Sequence, residues 1–74
     1  MEMAVREFLA SRFTGYHGGL GPEEPLDRVV DSLGLFDLVE WVEGSFGIRI
    51  PNEEFSPQRF SSISAICKTI SDFR

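Results

Sequence analysis

Positive charge is scarce in this chain. Seven Lys and Arg stand against twelve Asp and Glu, for a formal net charge of −5. Nucleic acid selects basic surfaces, so it is not an expected partner. The balance favours partners that carry positive patches, through steering and rim contacts. Cysteine occurs once, as Cys67, so no internal disulfide can form, in agreement with a reducing compartment. The single histidine, His17, makes no metal site by itself. No run approaches the roughly 18 apolar residues that cross a bilayer, and Glu2, Arg6 and Glu7 interrupt any apolar leader. Repeats and low-complexity segments are missing too. What is present is 42% hydrophobic residues with seven Phe in 74 positions, enough for one small core and one domain over 1–74.

The most informative stretch runs from Asp31 to Phe46. Asp and Ser start helices because their side-chain oxygens accept the free N–H groups of a first turn. Ser32 is the expected N-cap of a helix over about Leu33 to Phe46. At 100° per residue, Leu35, Leu38, Val39, Val42 and Phe46 share an arc about 100° wide, the width of a core-facing stripe. Asp37, Glu40 and Glu43 occupy another side, and Leu33 and Phe36 land among them. A charge stripe is by default a solvated face. Apolar residues set within one are common contact points for a partner. A hydroxyl at the helix start also sits at the positive end of the dipole, where a phosphate is well tolerated.

The flanking pattern is helical as well. Val5, Phe8 and Leu9, with Phe13 on the same side, predict a helix from about Glu2 to Phe13, stopped at Thr14-Gly15. Thr14 to Val30 holds four Gly and two Pro and reads as a long connection with a short turn at Pro22-Glu23-Glu24. Leu20, Leu26, Val29 and Val30 are its expected anchors in the core. The central helix closes at Ser45-Phe46-Gly47, with Gly44 as a weak point. Ile48 and Ile50 alternate around Arg49, but Pro51 stops the segment before it makes a convincing strand. Asn52 to Phe55 predicts a cap and one helical turn, ended before Pro57. Phe55 and Phe60 are expected to plug the core. Ser61 or Ser62 caps a last helix to about Phe73, with Ile63, Ile66, Cys67, Ile70 and Phe73 on one face. The expected fold is an all-α bundle of three main helices, one short fourth helix and a long first loop.

Asp31-Ser32-Leu33, the acids at Asp37 and Glu43, and the exit Phe46-Gly47-Ile48-Arg49-Ile50-Pro51 together resemble an acyl carrier protein. The order and spacing match without a gap from Asp31 to Pro51, and a weaker likeness covers nearly the whole chain. The resemblance implies a four-helix carrier-protein bundle, whose long first loop is a family trait. It makes Ser32 the covalent site for 4′-phosphopantetheine, supplied by coenzyme A, with acyl groups carried on the arm as thioesters. Asp31 becomes part of the recognition and metal environment of a phosphopantetheinyl transferase; otherwise it is a charge that favours the helix start. Leu33, Phe36, Asp37, Glu40 and Glu43 become a docking face for that transferase. The same face serves acyl-loading and acyl-processing enzymes such as a ligase, an acyltransferase or a ketosynthase.

No base stands near Ser32 in the sequence to activate it as a nucleophile, so the expected protein is not an enzyme and holds no metal. It is acted upon by another enzyme. Gly34, Gly44 and Ser45 stand where many carriers have acids. The shortened acidic stripe points toward polyketide or other specialised biosynthesis rather than housekeeping fatty-acid synthesis. Leu35, Val39 and Phe46 read as plain core, and the bulky interior leaves little shelter for a long acyl chain. Trp41 reads as a partly buried packing residue, and Cys67 as a small buried hydrophobe. A cytoplasmic, monomeric, stand-alone carrier is the expectation, since the chain starts at Met1 and ends just after its last helix. An aminoacyl or peptidyl carrier is the near alternative, although Val30-Asp31 precede the serine where such carriers usually differ. A helical interaction module that never receives a cofactor is the alternative from another class.

Overall fold

The computed structural model describes residues 1–74, the Asn52 side chain excepted; the cap expected of Asn52 lies outside the described residues. Three α-helices form: α1 (Glu2–Arg12), α2 (Ser32–Phe46) and α3 (Ile63–Phe73). Two short 3-10 helices, Asn52–Glu54 and Pro57–Phe60, precede α3. No strand occurs among the described residues, and no described helix is long and apolar enough to cross a membrane. The expected short fourth helix is thus replaced by two single turns. Proline opens the second of them, a position where its missing N–H costs nothing.

In α1, Val5 and Leu9 are wholly buried and Phe8 nearly so. Glu2 begins the helix and Arg12 ends it, each matched to the dipole. Phe13 leaves the helix in an extended conformation one residue earlier than expected, while its N–H still donates to the Leu9 carbonyl at 2.9 Å.

The long connection is held by backbone hydrogen bonds, which removes the usual objection to an unstructured loop in so small a domain. Leu26 N–H donates to Ser61 O and Ser64 N–H to Pro22 O, both at 2.8 Å. These bonds tie the loop to the start of α3. The Val29 and Val30 N–H groups both turn back to Leu26 O. Leu20 and Leu26 enter the core as expected; Val29 and Val30 are half-buried against it. At the other end of the loop, Arg6 donates to Tyr16 Oη at 3.2 Å and pairs with Glu2 at 2.9 Å.

In α2 the core residues are Leu38 and Val42, both wholly buried. Leu35, Val39 and Phe46, expected as plain core, sit half-buried at its edge. Trp41, half-buried as expected, stacks on Phe8 with centroids 4.5 Å apart. A pair of this kind adds about 0.5–1.5 kcal/mol beyond area burial. Gly47 adopts φ 65°, the left-handed geometry that favours glycine, and closes α2; its N–H and that of Ile48 both reach Glu43 O.

Ser62 caps α3, accepting from Ala65 N–H at 3.1 Å. Ile63, Ile66 and Ile70 are wholly buried, while Cys67 and Phe73 pack only half-buried. Thr69 is buried as well, and its hydroxyl has the Arg59 and Ala65 carbonyls at 3.0 and 2.9 Å to donate to. Arg59 pairs with Glu54 at 2.9 Å and with Asp72 at 3.5 Å and lies over the Phe73 ring, joining both 3-10 helices to α3.

Two glycines of α2 separate packing from propensity. A Cβ on Gly34 would lie 2.5 Å from Phe13 Cε1 and 3.0 Å from Asp31 Oδ1, and Phe13 is itself held edge-on by Phe8. A Cβ on Gly44 would meet nothing within 4 Å. Alanine gains up to about 1 kcal/mol of helix propensity at either position. Overpacking at Gly34 costs about 1–3 kcal/mol. Urea unfolding should therefore show Gly44→Ala as stabilising and Gly34→Ala as destabilising, opposite signs for the same substitution in one helix.

Candidate functional site

The start of α2 is built by Asp31. Its backbone is extended, at φ −86° and ψ −174°, and its Oδ1 accepts the Gly34 N–H at 2.7 Å. Its carbonyl accepts the Leu35 N–H at 2.9 Å. Asp31, not Ser32, is therefore the N-cap. Both residue types cap well. The aspartate carries in addition a charge that the helix N-terminus favours.

Ser32 is consequently the first residue inside the helix. It is exposed, and its hydroxyl makes no hydrogen bond among the described residues. The N–H groups of Gly34 and Leu35 are taken by Asp31, so those of Ser32 and Leu33 are the donors left beside the hydroxyl. The site thus presents an uncommitted hydroxyl and open backbone donors to solvent. No protein-family model matches this chain, and no curated protein aligns with it significantly. What the serine can do must be read from its surroundings.

Leu33 and Phe36 flank it and are the most exposed large apolar side chains of α2, at 80% and 64%. The three acids expected beside them do not act alike. Asp37 pairs with Arg12 of α1, whose guanidinium also lies 5.4 Å over the Phe8 ring. Glu43 is half-buried, and its Oε2 accepts the Ile50 N–H at 2.9 Å, holding the exit segment against the helix. Glu40 alone of the three is exposed with no ion-pair partner among the described residues.

A cavity of about 270 Å³ opens beside Ser32, which forms part of its wall. Leu26, Val30, Leu35 and Phe60 give it a mainly apolar lining, and the exposed acids Asp27 and Asp31 also border it. Sequence reasoning missed this pocket, because its walls come from the loop, α2 and the second 3-10 helix. It missed the structural use of Glu43 for a similar reason: a helical wheel cannot see a later segment folding back.

His17 is exposed in the loop. No group of three or more metal-ligating side chains gathers among the described residues. Burial pushes the Cys67 thiol above its ordinary range. At neutral pH it holds less thiolate than a free cysteine, and thiolate is the reactive form. Iodoacetamide followed by mass should label Cys67 more slowly in the folded chain than in urea at the same pH.

Proposed function

We propose that this chain is an acyl carrier protein whose working group is a 4′-phosphopantetheine arm on Ser32. The observation that carries the reading is the free Ser32 hydroxyl at an exposed helix start whose cap is supplied by its neighbour. A residue needed as a cap would lose that role when esterified; Ser32 has no such role to lose.

The residues fit the group. The Ser32 oxygen is open to an enzyme that forms a phosphodiester there and releases the nucleotide half of coenzyme A. The Ser32 and Leu33 N–H groups and the helix dipole favour the resulting anion. Asp31 opposes it, but both charges are exposed and screened. When attached, the arm supplies a thiol for acyl thioesters. The chain's own residues do the rest: Asp31 sets the helix start, and Leu33 and Phe36 offer an apolar contact beside Ser32. The likeness of Asp31-Ser32-Leu33 and Phe46–Pro51 to carriers supports the same reading, as does an all-helical fold with one long loop. On this reading the protein is not an enzyme. It is a monomer of the cytoplasm that raises the local concentration of an acyl group at each partner's active site.

The docking face is narrower than a simple acidic stripe. Asp37 and Glu43 are engaged within the chain, so Glu40 is the acid beside Leu33 and Phe36 that has no ion-pair partner among the described residues. Glu40→Lys should slow transferase modification and flatten its salt dependence, measured as initial rate across salt concentrations.

The reading is tested by incubating the native chain with a promiscuous transferase, Mg²⁺ and coenzyme A, then measuring intact mass. Addition of one phosphopantetheine is the expected result. A chain that stays unmodified while a control carrier is converted would instead be a helical interaction module.

A further inference from the structure

The exposed face of α2 beside Ser32 is fastened on two flanks. On one, Phe36 stacks on Phe55, between the two 3-10 helices, with centroids 5.7 Å apart and planes within 16°. On the other, the Arg12 guanidinium at the end of α1 donates to the Asp37 carboxylate. Leu33 and Asp37 are four residues apart and Asp37 and Glu40 three, spacings that set side chains next to one another on a helix. Asp37 thus belongs to the same face as Leu33, Phe36 and Glu40, but its charge is already matched from within the chain.

The two sides of this bridge do not depend on it equally. Arg12 has two further sources of hold. It lies in the last turn of α1, where the helix dipole favours a cation, and it sits 5.4 Å over the Phe8 ring. Phe8 is in turn backed by Trp41, stacked at 4.5 Å. Asp37 lies inside α2, beyond its first turn, and Arg12 is its one ion-pair partner among the described residues. Both side chains are open to solvent, so the pair is weak and exchangeable. A cation arriving from outside can take Asp37 while Arg12 stays on the ring.

We propose that Arg12 is an internal rival for Asp37. It masks that charge from a basic, partly apolar protein surface docking on Leu33, Phe36 and Glu40, and the partner's cation must displace it before Asp37 can contribute. The chemistry of the partner follows from the face itself, two exposed apolar side chains among acids in a chain of net charge −5. That a phosphopantetheinyl transferase is one such partner rests on the proposed function. The mask does not.

The probe is a synthetic amphipathic helix with leucine on one face and lysine on the other, which carries the chemistry of such a surface and needs no arm on Ser32. Its binding to the unmodified chain is followed by NMR at the backbone amides of Leu33, Phe36 and Glu40. Arg12→Gln should tighten binding about two- to fivefold at low salt, and the gain should fade as salt rises. Lys68→Gln removes the same charge from α3 and should change affinity much less. In the native chain Asp37→Asn should weaken binding less than Glu40→Gln does. In the Arg12→Gln chain the two should weaken it equally, the coupling that a double-mutant cycle reads. The native-chain comparison stands even if Arg12→Gln disturbs the fold. No gain from Arg12→Gln, an equal gain from Lys68→Gln, or equal losses from Asp37→Asn and Glu40→Gln in the native chain would overturn the mask. Absence of saturable shifts at these amides in every chain would overturn the face as a dock for such a surface. Intact mass decides separately whether Ser32 accepts an arm, so the mask can hold where the carrier reading fails, and the reverse.

Discussion

Ser32→Ala is expected to keep its fold and lose modification completely. The two halves of that expectation have separate origins. Loss of the arm follows because the hydroxyl is the atom esterified. Retention of the fold follows because the cap bond to Gly34 N–H comes from Asp31 at 2.7 Å and not from the serine. An exposed substitution away from caps and core usually changes stability by less than about 0.5 kcal/mol. Replacing a true N-cap by alanine costs about 0.5–2 kcal/mol, typically near 1. Asp31→Ala should therefore lower the urea midpoint clearly, while Ser32→Ala should not. A transferase and coenzyme A should add one arm to the native chain and none to the folded Ser32→Ala variant. Finding the arm on another residue would sink the assignment of the site.

The largest loss of stability is expected from Leu26→Ala. Leu26 is 1% exposed and is the point where the long loop enters the core. Its backbone bonds to Ser61 O and receives the turn from Val29 and Val30. Truncating a buried leucine removes transfer free energy and leaves a cavity, at a cost of about 2–5 kcal/mol. Small domains have a total of only about 5–15 kcal/mol. With a urea slope of about 1 kcal/mol/M for a chain of this size, the midpoint should fall by roughly 2 M or more. Far-UV circular dichroism against urea measures it. A shift under about half that would mean that the loop, and not the side chain, does the anchoring. Because Leu26 also lines the pocket beside Ser32, the same variant couples loop anchoring to the candidate site.

The helices were legible because each carries a period that needs only its own residues. Val5, Phe8 and Leu9 mark α1, Leu38 and Val42 mark α2, and Ile63, Ile66 and Ile70 mark α3; all are buried. The helix ends fell within a residue of their expected places. Ser62, one of two serines expected to cap α3, is the cap observed.

What was not legible depends on residues far apart. Asp31 and Ser32 are both good caps in isolation, and the extended backbone at Asp31 decides between them. Gly34 looked like a missing acid. Its role is to admit the ring of Phe13, a residue on the far side of the loop. Glu43 looked like a member of a docking stripe, and the return of Ile50 gives it a hydrogen bond. Pro57 looked like a terminator, whereas it opens a second 3-10 turn that brings Phe60 beside Ser32. In each case the local chemistry was visible and the partner was not.

The stack of Trp41 on Phe8 has a practical consequence. Trp41 is the chain's one indole, and it reports on whether α1 remains seated against α2. It lies nine positions beyond Ser32, about 13 Å along the helix at 1.5 Å per residue. Its emission should therefore follow the separation of these two helices, giving the molecule an optical channel for folding.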